Sequence, residues 1–511
     1  MSEPANREEK RIVIAGAGIT GLSAAYYLHR FLSEEGRRAR IIVVEKSGRT
    51  GGKISTWRED GFVVEQGPDS FLARKRAMID LAFELGLRDE LVPTNPQASK
   101  TYILRRGRPV PMPPGLVFGV PVRWKPLVKS ELLSLPGKLR ALMEPLVPVR
   151  REQTDESLGH FMVRRLGREA HDRIVEPLLS GIYAGDTHEL SLLATYPQFA
   201  ALERRYGSLV RGFLKTGGSL DGLMDKSGET GPASPANSNQ ASGGSTGTEE
   251  LPERLRKSVF LSFRRGLGSI IEALEEKLKG HAEIVTGEAI TAIIQQAGEP
   301  GSGRRCGYTV RTSGGRTIEA DAVILTVPAF ALADVLGDVP EVRSFAQMPH
   351  ISVANVVFAY NAADIRHSLD ASGILVPRRE KRFITACTWT SSKWGHVAPE
   401  GRVLLRCYVG RSGEEQWTGL DDEQIMADVR RELQTLLGID ASPLFGQVNR
   451  LMRSMPQYRV GHLEQVARVR TALHERYPGV FATGASFEGI GLPDCIRQGK
   501  ETAGQVAAWL R

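Results

Sequence analysis

Gly16, Gly18 and Gly21 stand at G-x-G-x-x-G spacing directly after a short apolar run that begins at Ile12. Residues of this type and spacing suit chemistry on a dinucleotide. Gly16 lets the chain turn tightly, Gly18 lets the backbone approach a pyrophosphate, and Gly21 lets the following helix lie close to the strand. Ile19 and Thr20 fall where the first free N–H groups of that helix would face an anion. A second apolar run, residues 41–44, ends in Glu45, whose carboxylate can accept both hydroxyls of an adenosine ribose. Glu rather than Arg at that position disfavours a 2′-phosphate. Glycines alone would fit an ordinary turn, but strand, turn, helix, strand and acid follow here in the order the motif requires.

The next residues define the cofactor class. Glu45-Lys46-x-x-Arg49-x-Gly51-Gly52-Lys53 resembles the extended signature of the flavin amine oxidase superfamily, in which the Arg and the paired Gly continue the diphosphate site. The resemblance implies FAD, bound noncovalently, rather than NAD. Further on, Gly67-Pro68-Asp69-Ser70-Phe71, with Arg74 and Lys75 just beyond, is similar to the bacterial oxygen-dependent porphyrinogen oxidases. Residues 115–122, 176–186 (EPLLSGIYAGD), 352–356, 384–389, 454–458 and 483–496 (TGASFEGIGLPDCI) resemble that family in the same order along nearly the whole chain. One departure is Gln66, where members of the coproporphyrinogen-using branch often carry Arg.

The resemblance implies roles for particular residues. The turn of Gly67, Pro68, Asp69 and Ser70 passes beside the flavin ring, and the backbone near Ile290 reaches the adenine. Gly491, Leu492, Pro493 and Asp494 open a C-terminal helix whose start can face the flavin's diphosphate or pyrimidine end. Cys495 could suggest a covalent flavin bond; a buried thiol is the plainer reading. The implied reaction removes a meso hydrogen of a porphyrinogen as hydride to flavin N5, with a pyrrolic N–H lost as a proton. Three rounds remove six electrons, and O2 reoxidises the flavin to give hydrogen peroxide. No catalytic acid or base is named: His171, His350, His396 and His462 read as structural or surface residues. Lys75 is the leading partner for a substrate propionate, Arg74 the second, and Ile182 an apolar wall for the macrocycle. Overall similarity favours coproporphyrinogen III, with protoporphyrinogen IX or both substrates as the alternative, and a coproporphyrin-metallating ferrochelatase as pathway neighbour. Binding proteins of the same fold that escort prenylated partners lack an intact dinucleotide signature.

Elements that could position these residues follow from the pattern. The fold class expected is α/β with an added α part: a Rossmann-like FAD-binding domain, a mixed-sheet substrate domain and a helical third lobe. The FAD domain takes residues 1–61, 258–327 and 465–511, and the substrate domain 62–97, 187–216 and 328–464. The third lobe is 98–186, and 217–250, rich in Gly, Ser, Asn and Pro, is a low-complexity insertion expected to be disordered. Residues 284–294 read as one strand, 477–482 as another, and 109–122, with five prolines, as a loop.

A chain of 511 residues exceeds what one core usually supports. Its net charge of +8 equals the excess between Lys100 and Arg173, where fifteen Lys/Arg meet seven Asp/Glu. Such a field draws in an anionic substrate, an acidic partner or an anionic membrane surface. No nucleic-acid motif accompanies it. The polar first ten residues carry no secretory apolar segment, and no apolar run reaches the ~20 residues of a spanning helix. Cys306, Cys387, Cys407 and Cys495 show no metal-binding spacing and read as reduced thiols of a cytoplasmic protein.

Overall fold

The computed structural model describes residues 9–152, 154–217, 251–296 and 307–511; Cys306 and the insertion from residue 218 onward lie outside them. The layer that positions the site is a five-stranded sheet. Its spatial order is Ala282–Thr286, Ala39–Glu45, Lys10–Ala15, Ala322–Leu325 and Val480–Ala482, with every neighbouring pair parallel. Strands covered on both faces read as continuous apolar runs, and Ile12, Val13 and Ile14 are fully buried. Helix Ile19–Glu34 packs on this sheet beside the terminal helix Leu492–Trp509, so both chain ends build one unit. Gly499 permits that packing, because a Cβ there would meet the Thr20 carbonyl oxygen at 2.6 Å.

The second large sheet has seven strands, in the order Phe445–Pro456, His350–Asn361, Arg402–Val409, Ile384–Trp389, Gly373–Leu375, Tyr102–Arg105 and Arg108–Pro111. All pairings are antiparallel except that of Gly373–Leu375 with Tyr102–Arg105. Residues 102–111, read from sequence as the start of the helical lobe, are therefore an edge hairpin of this sheet. Their turn at Arg106 and Gly107 is local, but the strand they pair with lies some 270 positions away. From Trp124–Lys129 to Leu209–Lys215 the chain then forms short helices. They are pinned by a fully buried ion pair of Arg165 with Glu144.

Two expected strands are cut by glycine. The run 284–294 breaks at Gly287, whose φ of +79° is left-handed. Ala282–Thr286 stays in the parallel sheet, whereas Ile290–Gln295 joins Tyr308–Thr312 and Thr317–Ala320 in a separate antiparallel sheet. Similarly, Gly479 at φ +102° delays the last strand to Val480–Ala482. Residues 109–122 are less irregular than expected, since they end the edge hairpin and add the small pair Leu116–Val117 and Val120–Pro121.

Candidate dinucleotide site

The carboxyl ends of the parallel strands open onto a cavity of about 490 Å3. Gly16, Gly18, Ile19, Thr20, Glu45, Lys46, Gly52, Lys53, Ile290 and Leu492, all read from sequence as cofactor contacts, line it. The glycines divide by role. A Cβ on Gly21 would sit 1.9 Å from the Gly16 carbonyl oxygen, so Gly21 serves close packing and does not line the cavity. A Cβ on Gly18 would meet nothing within 4 Å, which leaves its ligand side open. Gly16 holds φ +99° against Thr326.

Two helix N-termini meet at this cavity. Gly18 is the N-cap of Ile19–Glu34 and Gly491 that of Leu492–Trp509, and neither start receives a side-chain cap. Their leading N–H groups are thus available to an anion, which the helix dipoles favour. Glu45 closes the other side. Its Oε2 accepts the Ala17 N–H at 2.7 Å, and its Oε1 accepts the Ser47 N–H at 2.9 Å and hydroxyl at 2.8 Å. A carboxylate offers about four acceptor positions, so about one stays open for a ribose hydroxyl.

Arg49 does not line the cavity. Its guanidinium donates to the carbonyls of Thr50, Ile54 and Gly52 at 3.0, 3.0 and 2.7 Å, fastening the second glycine turn. Lys53 faces the cavity and donates to the Ser454 carbonyl; loss of hydration in this enclosed setting lowers its pKa.

Gly67, Pro68, Asp69 and Ser70 lie outside the cavity lining, one layer behind it. Gly67 packs on Lys53, whose carbonyl oxygen a Cβ would meet at 1.7 Å. Asp69 pairs with Lys393 at 3.2 Å; burial would raise its pKa, but Lys393 and Arg406 outweigh this and hold it well below the usual carboxylate range. Gly491, Pro493 and Asp494 shape the terminal helix start without lining the cavity. Asp494 pairs with Lys75 at 2.5 Å, so the cation read as a propionate partner already has a carboxylate. Arg74 lies close enough to the buried Tyr196 to oppose the burial that raises its phenol pKa. Ile182 is exposed on helix Glu176–Tyr183 and does not reach the cavity.

Several lining residues escaped the sequence reading. Thr326, Val327, Pro328 and Phe330 follow the fourth strand of the sheet in space, and Ser486 follows the fifth. The signal was present: an apolar run, residues 322–325, ending in a Pro turn, as a parallel strand ends. His350 is also in the wall, where the reading made it structural or surface. Its ring contacts the Met348 carbonyl at 2.9 Å and the Ser486 hydroxyl at 3.3 Å. Burial, with Lys53 and Arg453 nearby, lowers its pKa to about 4, so it is neutral near pH 7. His171 and His462 are buried and hydrogen-bonded away from the cavity.

A family model described as flavin containing amine oxidoreductase matches residues 19–507. The chain belongs to that family. Within it, the chain is 38% identical to the coproporphyrinogen III oxidase of Bacillus subtilis, over 98% of this chain and 99% of that one. It is 36% identical to the Staphylococcus aureus protein of the same name, over 98% and 100%. A crystal structure from Exiguobacterium, provisionally assigned as a protoporphyrinogen oxidase, superposes with a TM-score of 0.80 at 35% identity, covering 98% and 99% of the two chains. The groups around the cavity fit the flavin this family carries: two uncapped helix starts, the Glu45 carboxylate at the end of its strand and an apolar wall of Ile290, Val327 and Phe330.

Proposed function

We propose that this protein oxidises coproporphyrinogen III to coproporphyrin III in heme biosynthesis, using noncovalent FAD and O2 and releasing hydrogen peroxide. The observation that carries this reading is the dinucleotide cavity in a chain alike, over its full length, to two coproporphyrinogen III oxidases. The backbone at Gly18 and Thr20 would hold the diphosphate, Glu45 the ribose and the backbone at Ile290 the adenine, with Lys53 and Leu492 beyond. FAD, when bound, supplies the two-electron acceptor and its reaction with O2. The protein excludes water and orients the macrocycle. Noncovalent binding is supported by Cys495, the thiol in the cavity wall: burial raises its pKa to about 11, which leaves little thiolate.

Lys75 and Arg74 are the proposed propionate partners and Ile182 the apolar contact. A propionate reaching Lys75 would compete with Asp494 for the ammonium. The FAD, substrate and helical parts are proposed as the three domains, with the protein acting in the cytoplasm and passing its product to a coproporphyrin ferrochelatase. Among the described residues no helix is long and apolar enough to cross a membrane. Peripheral contact with an anionic membrane is supported by the helical lobe, where Trp124, Val128, Leu135, Leu139 and Leu146 are exposed beside Lys125 and Lys129. Protoporphyrinogen IX oxidation is the second reading, favoured by the Exiguobacterium relative.

Side-by-side steady-state oxidation of both porphyrinogens under air decides between them. A kcat/KM favouring coproporphyrinogen III is expected. Preference for protoporphyrinogen IX would select the second reading, and flavin-loaded protein that oxidises neither would overturn both.

A further inference from the structure

The turn at residues 66–70 is gripped from behind by the seven-stranded sheet. Asn355, on strand His350–Asn361, donates its Nδ2 to the Gln66 carbonyl at 2.9 Å and accepts from Asn449 at 2.9 Å. Arg406, on the neighbouring strand Arg402–Val409, donates Nη2 to the next carbonyl, that of Gly67. Both side chains are almost fully buried, Asn355 1% and Arg406 3% exposed. The front of the same turn is closed by contact: Gly67 has no room for a Cβ against the Lys53 carbonyl, and Lys53 is cavity wall.

Arg406 also faces a second, small cavity of about 20 Å3, whose wall includes Glu65, Asp69, Trp394 and His396 beside Val63, Val357 and Leu404. Its Nε and Nη1 have no protein partner there, nor has Trp394 Nε1. A space of this size has room for a single water beside the guanidinium. A guanidinium spending one fork on Gly67, beside the charge of Asp69 and against the Tyr408 ring at 5.1 Å, is more elaborate than packing of the sheet needs. At position 66 itself the chain carries Gln, which the Ser55 hydroxyl engages at 2.6 Å, so the cation at this turn comes from the other sheet.

We propose that Arg406 and Asn355 are positioning residues for the oxidation. By holding two successive carbonyls they press the 66–67 backbone onto Lys53 and so fix the flavin-facing wall relative to the substrate sheet. This rests on the flavin-dependent function proposed above.

The test uses the FAD-loaded full chain and two variants, Arg406→Lys, which keeps the charge near Asp69 but not the fork, and Asn355→Ala. Visible circular dichroism of the bound flavin and anaerobic flavin reduction by coproporphyrinogen III are measured with steady-state KM. Both variants are expected to alter the flavin dichroism and slow reduction at least fivefold, with KM within twofold of the parent. Arg450→Lys is expected to match the parent, because Arg450 sits in the same sheet but bonds Asp422 and the Leu420 carbonyl. Lower melting temperatures with unchanged dichroism and reduction rate would reduce both residues to structural ones and overturn the proposal. Should Arg406→Lys fail to fold, Asn355→Ala decides by the same readouts. A parent that holds no flavin would overturn the function and this inference together; a loaded parent with parent-like variants overturns the inference alone.

Discussion

Gly18 and Gly21, three positions apart, are glycine for opposite reasons. The space beside Gly18 is open and belongs to a ligand, while the space beside Gly21 is filled by the Gly16 carbonyl. Gly18→Ala is therefore expected to keep the parent melting temperature of the flavin-free protein and weaken FAD binding about tenfold or more, read by fluorescence titration. Gly21→Ala is expected to cost about 1–3 kcal/mol of stability, as overpacking does, in denaturant unfolding. Lys75 poses a different question, because it is paired with Asp494. A charge-assisted contact is worth about 1.5–3 kcal/mol. Lys75→Met should accordingly raise KM for coproporphyrinogen III about tenfold or more, and clearly less for the two-propionate substrate. Equal effects on both would remove Lys75 from propionate binding.

Between elements, the clearest electrostatic consequence lies in the hairpin of Thr56–Glu59 and Phe62–Glu65. Glu65 accepts the Leu267 N–H at 2.6 Å and the Thr56 hydroxyl at 2.8 Å. Burial nevertheless raises its pKa from 4.5 to about 7. Its folded value lies above its unfolded one, so as pH rises from about 4.5 to about 7 the folded chain retains a proton that the unfolded chain has lost. The contribution of Glu65 to stability therefore falls across that window. Glu65→Gln removes this titration, and its melting temperature relative to the parent should rise as pH is taken from about 5 to about 8. A pH-independent difference would contradict the assignment. His350 acts in the opposite sense: its folded value of about 4 lies below the ordinary 6.5, so between them the unfolded chain holds the extra proton and the contribution of His350 to stability rises with pH. That rise is equal in the parent and in Glu65→Gln, whose difference therefore isolates Glu65.

At the scale of the molecule, the helical segment from Trp124 onward buries most of its apolar side chains but leaves several exposed. Leu135 is 69% and Leu146 72% exposed, on neighbouring elements that also carry Trp124 and several lysines. Basic groups contribute about 1 kcal/mol each near an anionic bilayer, and apolar side chains add to this on insertion. Sedimentation with vesicles is expected to show binding to anionic but not zwitterionic lipid, weakened by salt. Leu139→Glu with Leu146→Glu should reduce it at least tenfold while leaving turnover of dissolved substrate unchanged. Binding unaffected by these changes would move the contact elsewhere.

What the sequence determined by itself is local in origin. The spacing of Gly16, Gly18 and Gly21, the apolar runs on either side and the acid at Glu45 encode strand, turn and helix within 45 residues, and the cavity contains most of them. A parallel strand announces itself because both its faces are buried. Tertiary structure decided the rest, wherever partners come from distant parts of the chain. The hydrogen bonds of Arg49 to three nearby carbonyls, which fasten the second glycine turn, are likewise set by the folded loop and not by the motif. Thr326 and His350 entered the cavity wall only because strand Ala322–Leu325 runs beside Lys10–Ala15 and the seven-stranded sheet, which carries His350, meets it there. The edge hairpin at 102–111 found its sheet, Lys75 found Asp494, and Arg406 found the carbonyl of Gly67, across separations of about 270 to 420 positions. Side-chain periodicity carries no information about such meetings, since it records which face is buried and not what buries it.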